Sequence, residues 1–231
     1  MEKKSLFRID NTYEQMKTTY KTSDGIIAII FYIIIILLYL LMGFLYSEKN
    51  IYIVEYMSAF LILVCISIVL IRKQNIASIG LTLRNIGKSA LFGLKTGLFL
   101  MALTVIPSIR AGKSLIGMGN IVYNLYFYFI IIGFCEEIVF RGFIQTRLYG
   151  LIKSDIIASI VCASMFGLMH IPFQMQIRNM SLISFIMNNY LMILIPFFWH
   201  FVLNFLYRKF NSLLAPTILH GFMNFSSNLF F

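Results

Sequence analysis

Charge is what this sequence has least of. Asp, Glu, Lys and Arg make up 12% of its 231 residues, and only nine residues are acidic. A soluble domain is typically about a quarter charged. With 60% apolar residues and a mean hydropathy of +0.86, a chain of this length cannot bury its side chains away from water. A water-soluble globular domain is therefore excluded, whereas an integral membrane protein is not, because lipid replaces water as the solvent. Cysteine is also scarce. Cys65, Cys135 and Cys162 all sit inside apolar runs, so no disulfide framework is implied. Cys135 adjoins an acidic pair, but a buried cysteine more often packs as a small hydrophobe than acts as a nucleophile.

The formal charge of +10 raises the question of nucleic acid. The basic residues fall in short connectors between apolar segments, as the positive-inside bias requires. No basic stripe with interleaved aromatics is present, so nucleic acid is not an expected partner.

About 20 apolar residues span a bilayer as a helix. That ruler finds seven candidate spans, at 25–46, 51–71, 90–109, 119–144, 155–171, 187–207 and 212–230. The first is too long for a signal-peptide core and lacks a small-residue cleavage pattern, so it reads as a retained helix. The expected fold is an all-α integral membrane protein, a bundle of about seven transmembrane helices. Residues 1–24 are expected to form a polar cytoplasmic leader, 25–118 the N-terminal helices and 119–231 a second membrane core. The segment 73–95, with Arg84 and Lys88 among apolar residues, is expected to begin as an interfacial helix, and the stretch after the fifth span to lie on the opposite surface.

Orientation follows from charge. The leader (Lys3, Lys4, Arg8, Lys17, Lys21) shares one side with Arg72, Lys73, Arg84, Lys88, Arg147, Lys153, Arg208 and Lys209. Those thirteen face four on the other side, Lys49, Arg110, Lys113 and Arg178, with Lys95 and Arg141 inside helices. The N-terminus is predicted inside and the C-terminus outside.

Against this background "GFCEEIVFRG" (133–142) is anomalous. A charge at a helix centre costs roughly 2.5–3.5 kcal/mol on insertion scales. Glu137 and Arg141, four apart in the favourable acid-first order, can neutralise each other. Glu136 is rotated about 100° away and has no such partner. An ion network that only holds helices together is the plain alternative. The three histidines argue for more, because all lie in helical apolar context: "FGLMH" sets Phe166 and His170 on one face, and "HGFMN" sets His220 and Asn224 on another. Glu136 and His170 lie equally far from the connector around Lys153, so an antiparallel pair brings them level. A carboxylate and an imidazole at one depth can activate water, and His220 with Asn224 can donate to an oxyanion.

"EEIVFR", "FGLMH" and "HGFMN" resemble the EExxxR, FxxxH and HxxxN motifs of the CAAX protease and bacteriocin-processing family, and "NSLLAPTILHGFMN" resembles the approach to the last of these. The resemblance covers residues 119–226. It implies an intramembrane endopeptidase acting on a membrane-associated peptide or protein. Glu136 would be the general base with His170, His220 and Asn224 the oxyanion site, and Glu137, Arg141 and Phe166 supports. "WHFVLN" repeats the His-xxx-Asn spacing with His200 and Asn204 but lacks that approach, and reads as a polar packing contact. No spanning helix is expected after the third motif. The Ile, Phe, Asn and Lys bias resembles that of low-GC bacteria, which implies the plasma membrane and a role in peptide maturation or bacteriocin self-immunity.

No cofactor is expected. Two alternatives use the same residues: a zinc endopeptidase with Glu136, His170 and His220 as ligands, and a non-catalytic immunity or scaffold protein, which loss of a motif residue would favour. A transporter would call for an internal repeat, and none is evident.

Overall fold

The computed structural model describes residues 8–231. Lys3 and Lys4, assigned above to the leader, lie outside the described residues. Among the described residues the chain is helical throughout, with only an isolated bridge between Leu115 and Phe230. The elements are α1 (Asn11–Lys17), α2 (Thr22–Lys49), α3 (Val54–Ile71), α4 (Ile86–Arg110), α5 (118–148), α6 (Asp155–Ile177), α7 (Leu182–Asn189), α8 (Leu191–Phe210) and α9 (Leu214–Ser227).

Helical segments occupy all seven predicted apolar runs. Five of them, α2, α3, α4, α6 and α8, are long and apolar enough to cross a bilayer by themselves. The other two differ for physical reasons. The α5 helix carries Glu136, Glu137 and Arg141, all buried inside the bundle rather than facing lipid. The α9 helix has only 14 residues, yet it runs between the two ends of the molecule. At one end the Leu213 amide donates to the Gly80 carbonyl, and at the other the Ile116 amide donates to Leu229 and Phe231 to Ser114. The segment 73–95 does not start as an interfacial helix. It makes one tight turn, Ile76–Ile79, before α4 begins.

Lipid-facing stripes account for the exposed hydrocarbon. Ile26, Ile30, Ile33, Leu37, Leu41 and Phe44 recur along α2 at helical spacing, and each is exposed. The opposite face of α2 buries Ala28, Phe31, Ile35 and Met42. This inversion of the soluble pattern is expected where the surroundings are as apolar as the core.

The leader packs against the bundle. Tyr13 is fully buried, edge-on to Tyr149 and Tyr207. Lys17 reaches Asp155 at 2.9 Å, and the same carboxylate takes Arg208 at 2.7 Å. Asp10 accepts from Asn85 at 3.1 Å. One short segment thus joins three connectors at the end of the molecule where most of the basic residues lie.

One glycine, Gly221, sets the distance between α5 and α9, with Gly133 at the same crossing. A Cβ on Gly133 would lie 3.4 Å from the Thr217 carbonyl and 3.5 Å from the Gly221 amide, and one on Gly221 would collide with the Phe129 ring. Small residues at such crossings let membrane helices approach closely. Here the approach brings Glu136 and Glu137 up to His220.

Candidate active site

The first motif lies where α5 departs from α-helical geometry. Over Phe127–Phe134 and again over Glu137–Ile144 the hydrogen bonds run i to i+5, with Cys135 and Glu136 between the two stretches. Such widened turns occur often at functional sites, because they re-aim side chains that a regular helix would direct elsewhere. Arg141 Nη1 still donates to Glu137 Oε1 at 3.0 Å, and both residues are fully buried.

Glu137 has a second partner that helical spacing does not reveal. Its Oε1 lies 2.8 Å from His220 Nδ1 on α9. An ionised carboxylate can only accept, so Nδ1 carries the proton. The other ring nitrogen, Nε2, then faces Glu136, whose Oε2 lies 3.7 Å away. Glu136 is therefore not isolated, as its position on one helix suggests. Its partner comes from another helix.

Glu136, His170, His220 and Asn224 line one cavity of about 370 Å³. No hydrogen-bond partner among the described residues engages the Asn224 side-chain amide, one helical turn beyond His220. His170 also borders a second cavity of about 330 Å³, lined by Gln174, Leu191, Met192, Ile195 and Pro196 between α6 and α8. Ile195 and Leu191 are exposed, so the second cavity meets the lipid-facing surface.

Phe166 packs among these groups. Its ring centroid lies 4.1 Å from the Arg141 guanidinium carbon, 5.5 Å from the His170 ring and 6.2 Å from the His220 ring. A cation over an aromatic face at this distance is attracted by the ring quadrupole. Phe166 thus packs the Arg141–Glu137 pair on one side and both histidine rings on others.

His200 also packs against Phe166, at 6.1 Å between ring centroids, but its polar contact and that of Asn204 point away from the cavity. His200 Nε2 lies 3.1 Å from Gln145 Oε1, and Asn204 donates to the Ser159 hydroxyl at 3.1 Å. Neither lines the cavity. They tie α8 to α5 and α6. Cys135 also points away, toward the Ser58 carbonyl at 3.5 Å. Among the described residues no three His, Cys, Asp or Glu side chains are grouped as metal ligands.

Sequence reasoning missed most of the cavity wall. Tyr39, Tyr128, Phe173, Trp199 and Met223 line it together with the motif residues. They come from five different helices and carry no local spacing signal. Sequence reasoning also placed Arg147 in a connector, whereas it is only 1% exposed.

Residues 118–226 match the family model described as type II CAAX prenyl endopeptidase, Rce1-like. That segment is similar to Rce1-like domains. It holds all three motifs and every side chain of the Glu136–His170–His220–Asn224 group, while Tyr39 is contributed by a helix outside it. The match supports an intramembrane endopeptidase. No curated protein and no solved structure shows a significant match to the chain.

Proposed function

We propose that the Rce1-like domain hydrolyses a peptide bond in a membrane-associated peptide or protein, using water activated by Glu136 and His170. The observation that carries this reading is the convergence of Glu136, His170, His220 and Asn224 on one cavity. Glu136 removes a proton from water as the oxygen attacks the scissile carbonyl. The C–O bond forms, the carbonyl electrons move to oxygen, and Asn224 with an Nε2–H of His220 receives the oxyanion. Collapse breaks the C–N bond, and the proton held by Glu136 passes to the leaving amine. Glu137 orients His220 through Nδ1, and Arg141 neutralises Glu137. No step requires a metal.

The aromatic wall of the cavity and its neighbour between α6 and α8 favour a substrate with apolar flanks that arrives from the lipid phase. The compositional bias supports a bacterial plasma membrane setting and a role in peptide maturation or bacteriocin self-immunity. A precursor peptide and an exporter encoded beside the gene would be the expected companions. The decisive experiment is proteolysis of membrane-associated peptides by the purified protein in liposomes, beside Glu136→Gln. Cleavage by the parent and none by a folded, inserted Glu136→Gln is expected. Equal cleavage by both would refute the role of Glu136. No cleavage by the parent across hydrophobic and lipidated peptides would favour a scaffold on the same fold.

A further inference from the structure

At the leader end of the molecule, away from the candidate active site, a cavity of about 520 Å³ opens between the leader and the adjoining ends of α2 and α3. Its wall includes Lys21, Asp24, Arg72, Lys73, Gln74 and Ser78. Asp24 is its one carboxylate, and that carboxylate is already engaged. Oδ1 accepts from Arg72 Nε at 3.1 Å and Gln74 Nε2 at 2.9 Å, and Oδ2 accepts from the Lys21 amide at 2.8 Å. Lys21 and Lys73 are exposed, and among the described residues neither has an acidic partner.

Directly behind Gln74 and Ser78 lies Arg147, 1% exposed. Its guanidinium donates only to neutral acceptors. Nη2 reaches Gln74 Oε1 at 2.8 Å and Ser78 Oγ at 2.7 Å, and Nη1 reaches the carbonyls of Ser78 and Gly142, each at 3.0 Å, and the Thr146 hydroxyl. Nε has no partner, and among the described residues no carboxylate stands within ion-pair distance. The Arg147 guanidinium carbon also lies over the Tyr20 and Phe143 rings at 4.9 and 4.8 Å, so neutral acceptors and aromatic faces hold it where an opposite charge does not. Four cations therefore converge on this corner against one carboxylate, and two polar side chains link the buried one to the cavity.

We propose that this cavity binds a phosphate-bearing anion, which supplies the counter-charge that Arg147, Lys21 and Lys73 lack. Gln74, Asn75 and Ser78 offer neutral donors to the remaining phosphate oxygens. The source favoured by position is an anionic phospholipid headgroup. Leu70 and Ile71, the residues immediately before Arg72, are 59% and 79% exposed and offer an apolar rim to acyl chains. Basic pockets between helices at a cytoplasmic membrane face suit such headgroups.

The test uses the full chain in neutral detergent, titrated with phosphatidylglycerol, phosphatidylcholine or inorganic phosphate. Thermal unfolding and native mass spectrometry are the readouts. Phosphatidylglycerol is expected to bind and raise the midpoint, phosphatidylcholine to do neither, and Lys21→Gln/Lys73→Gln to weaken binding about tenfold or more. Both lysines are exposed and unpaired, so that variant should fold. Inorganic phosphate reproducing the shift at millimolar concentration would support the site with free phosphate as its occupant. Equal effects of the two lipids with none from phosphate would overturn the proposal, as would a phosphatidylglycerol effect undiminished in the double variant.

Discussion

His220 Nδ1 lies 2.8 Å from Glu137 Oε1, which binds the third motif to the first across two helices. The same oxygen accepts from Arg141 at 3.0 Å, so one carboxylate serves a cation on its own helix and an imidazole on another. Its second oxygen has no hydrogen-bond partner. Because Nδ1 is committed to Glu137, ring rotation is blocked and Nε2 stays directed at Glu136.

The two adjacent carboxylates should therefore fail differently. Glu137→Ala leaves the fully buried Arg141 unpaired, a loss of about 3–5 kcal/mol, and Arg141→Ala leaves the buried Glu137 with His220 as its one partner, a smaller loss. Both should lower the yield of folded protein and its thermal midpoint, measured by fluorescence-detected size exclusion. Glu136→Gln should leave yield and midpoint near those of the parent while removing cleavage. Equal loss of folded protein from all three changes would indicate a network that only holds helices together.

His220 and Asn224 are expected to act as the carbonyl becomes tetrahedral. Removing a donor of this kind typically slows turnover about 10²–10³-fold. His220→Ala and Asn224→Ala should show that loss in kcat with little change in substrate binding. His200→Ala should instead lose stability, because it strands the buried Gln145 oxygen 3.1 Å away, at about 1–3 kcal/mol. Turnover per folded molecule should change little. The reverse pattern, with His200 indispensable and His220 dispensable, would move the active site to α8.

Metal removal should leave cleavage intact. The proposed chemistry draws its base from Glu136 and its donors from His220 and Asn224. Elemental analysis of the purified protein, with activity followed through chelation and re-addition, is the measurement. Stoichiometric zinc whose return restores activity would replace this mechanism with a metal-dependent one.

Topology can be checked without an assay for activity. The C-terminal Phe231 amide donates to the Ser114 carbonyl, so the C-terminus and the 110–117 connector share one end of the molecule. The thirteen-to-four charge asymmetry predicts that end outside. Cysteines introduced after Phe231 and in the connector should react with impermeant reagents in intact cells. Protection of either would reject this orientation.

The membrane character, the helical segments and the three motifs were legible in the sequence because each is a local property. Hydropathy over about 20 residues reports a helix whose surroundings are lipid. Spacing of three or four reports which side chains share its face, as with Phe166 and His170. Local signals have a local reach, however. They described α9 as a span, whereas the helix there has only 14 residues. They read the leader as a separate polar segment, where Tyr13 is fully buried.

What the sequence by itself determined, then, is which residues are costly enough in hydrocarbon to need a reason: Glu136, Glu137, Arg141 and the three histidines. Which of them meet was decided only in three dimensions. Glu137 is paired by spacing with Arg141, but its contact with His220 spans 83 positions and depends on the close crossing at Gly133 and Gly221. Arg147 reads as a connector cation, yet it is buried because Gln74 and Ser78, some 70 residues earlier, fold over it. The physical reason is the same in both cases. A charge inside a membrane protein is stabilised by whatever other helices bring to it, and the order of residues along one helix does not encode that.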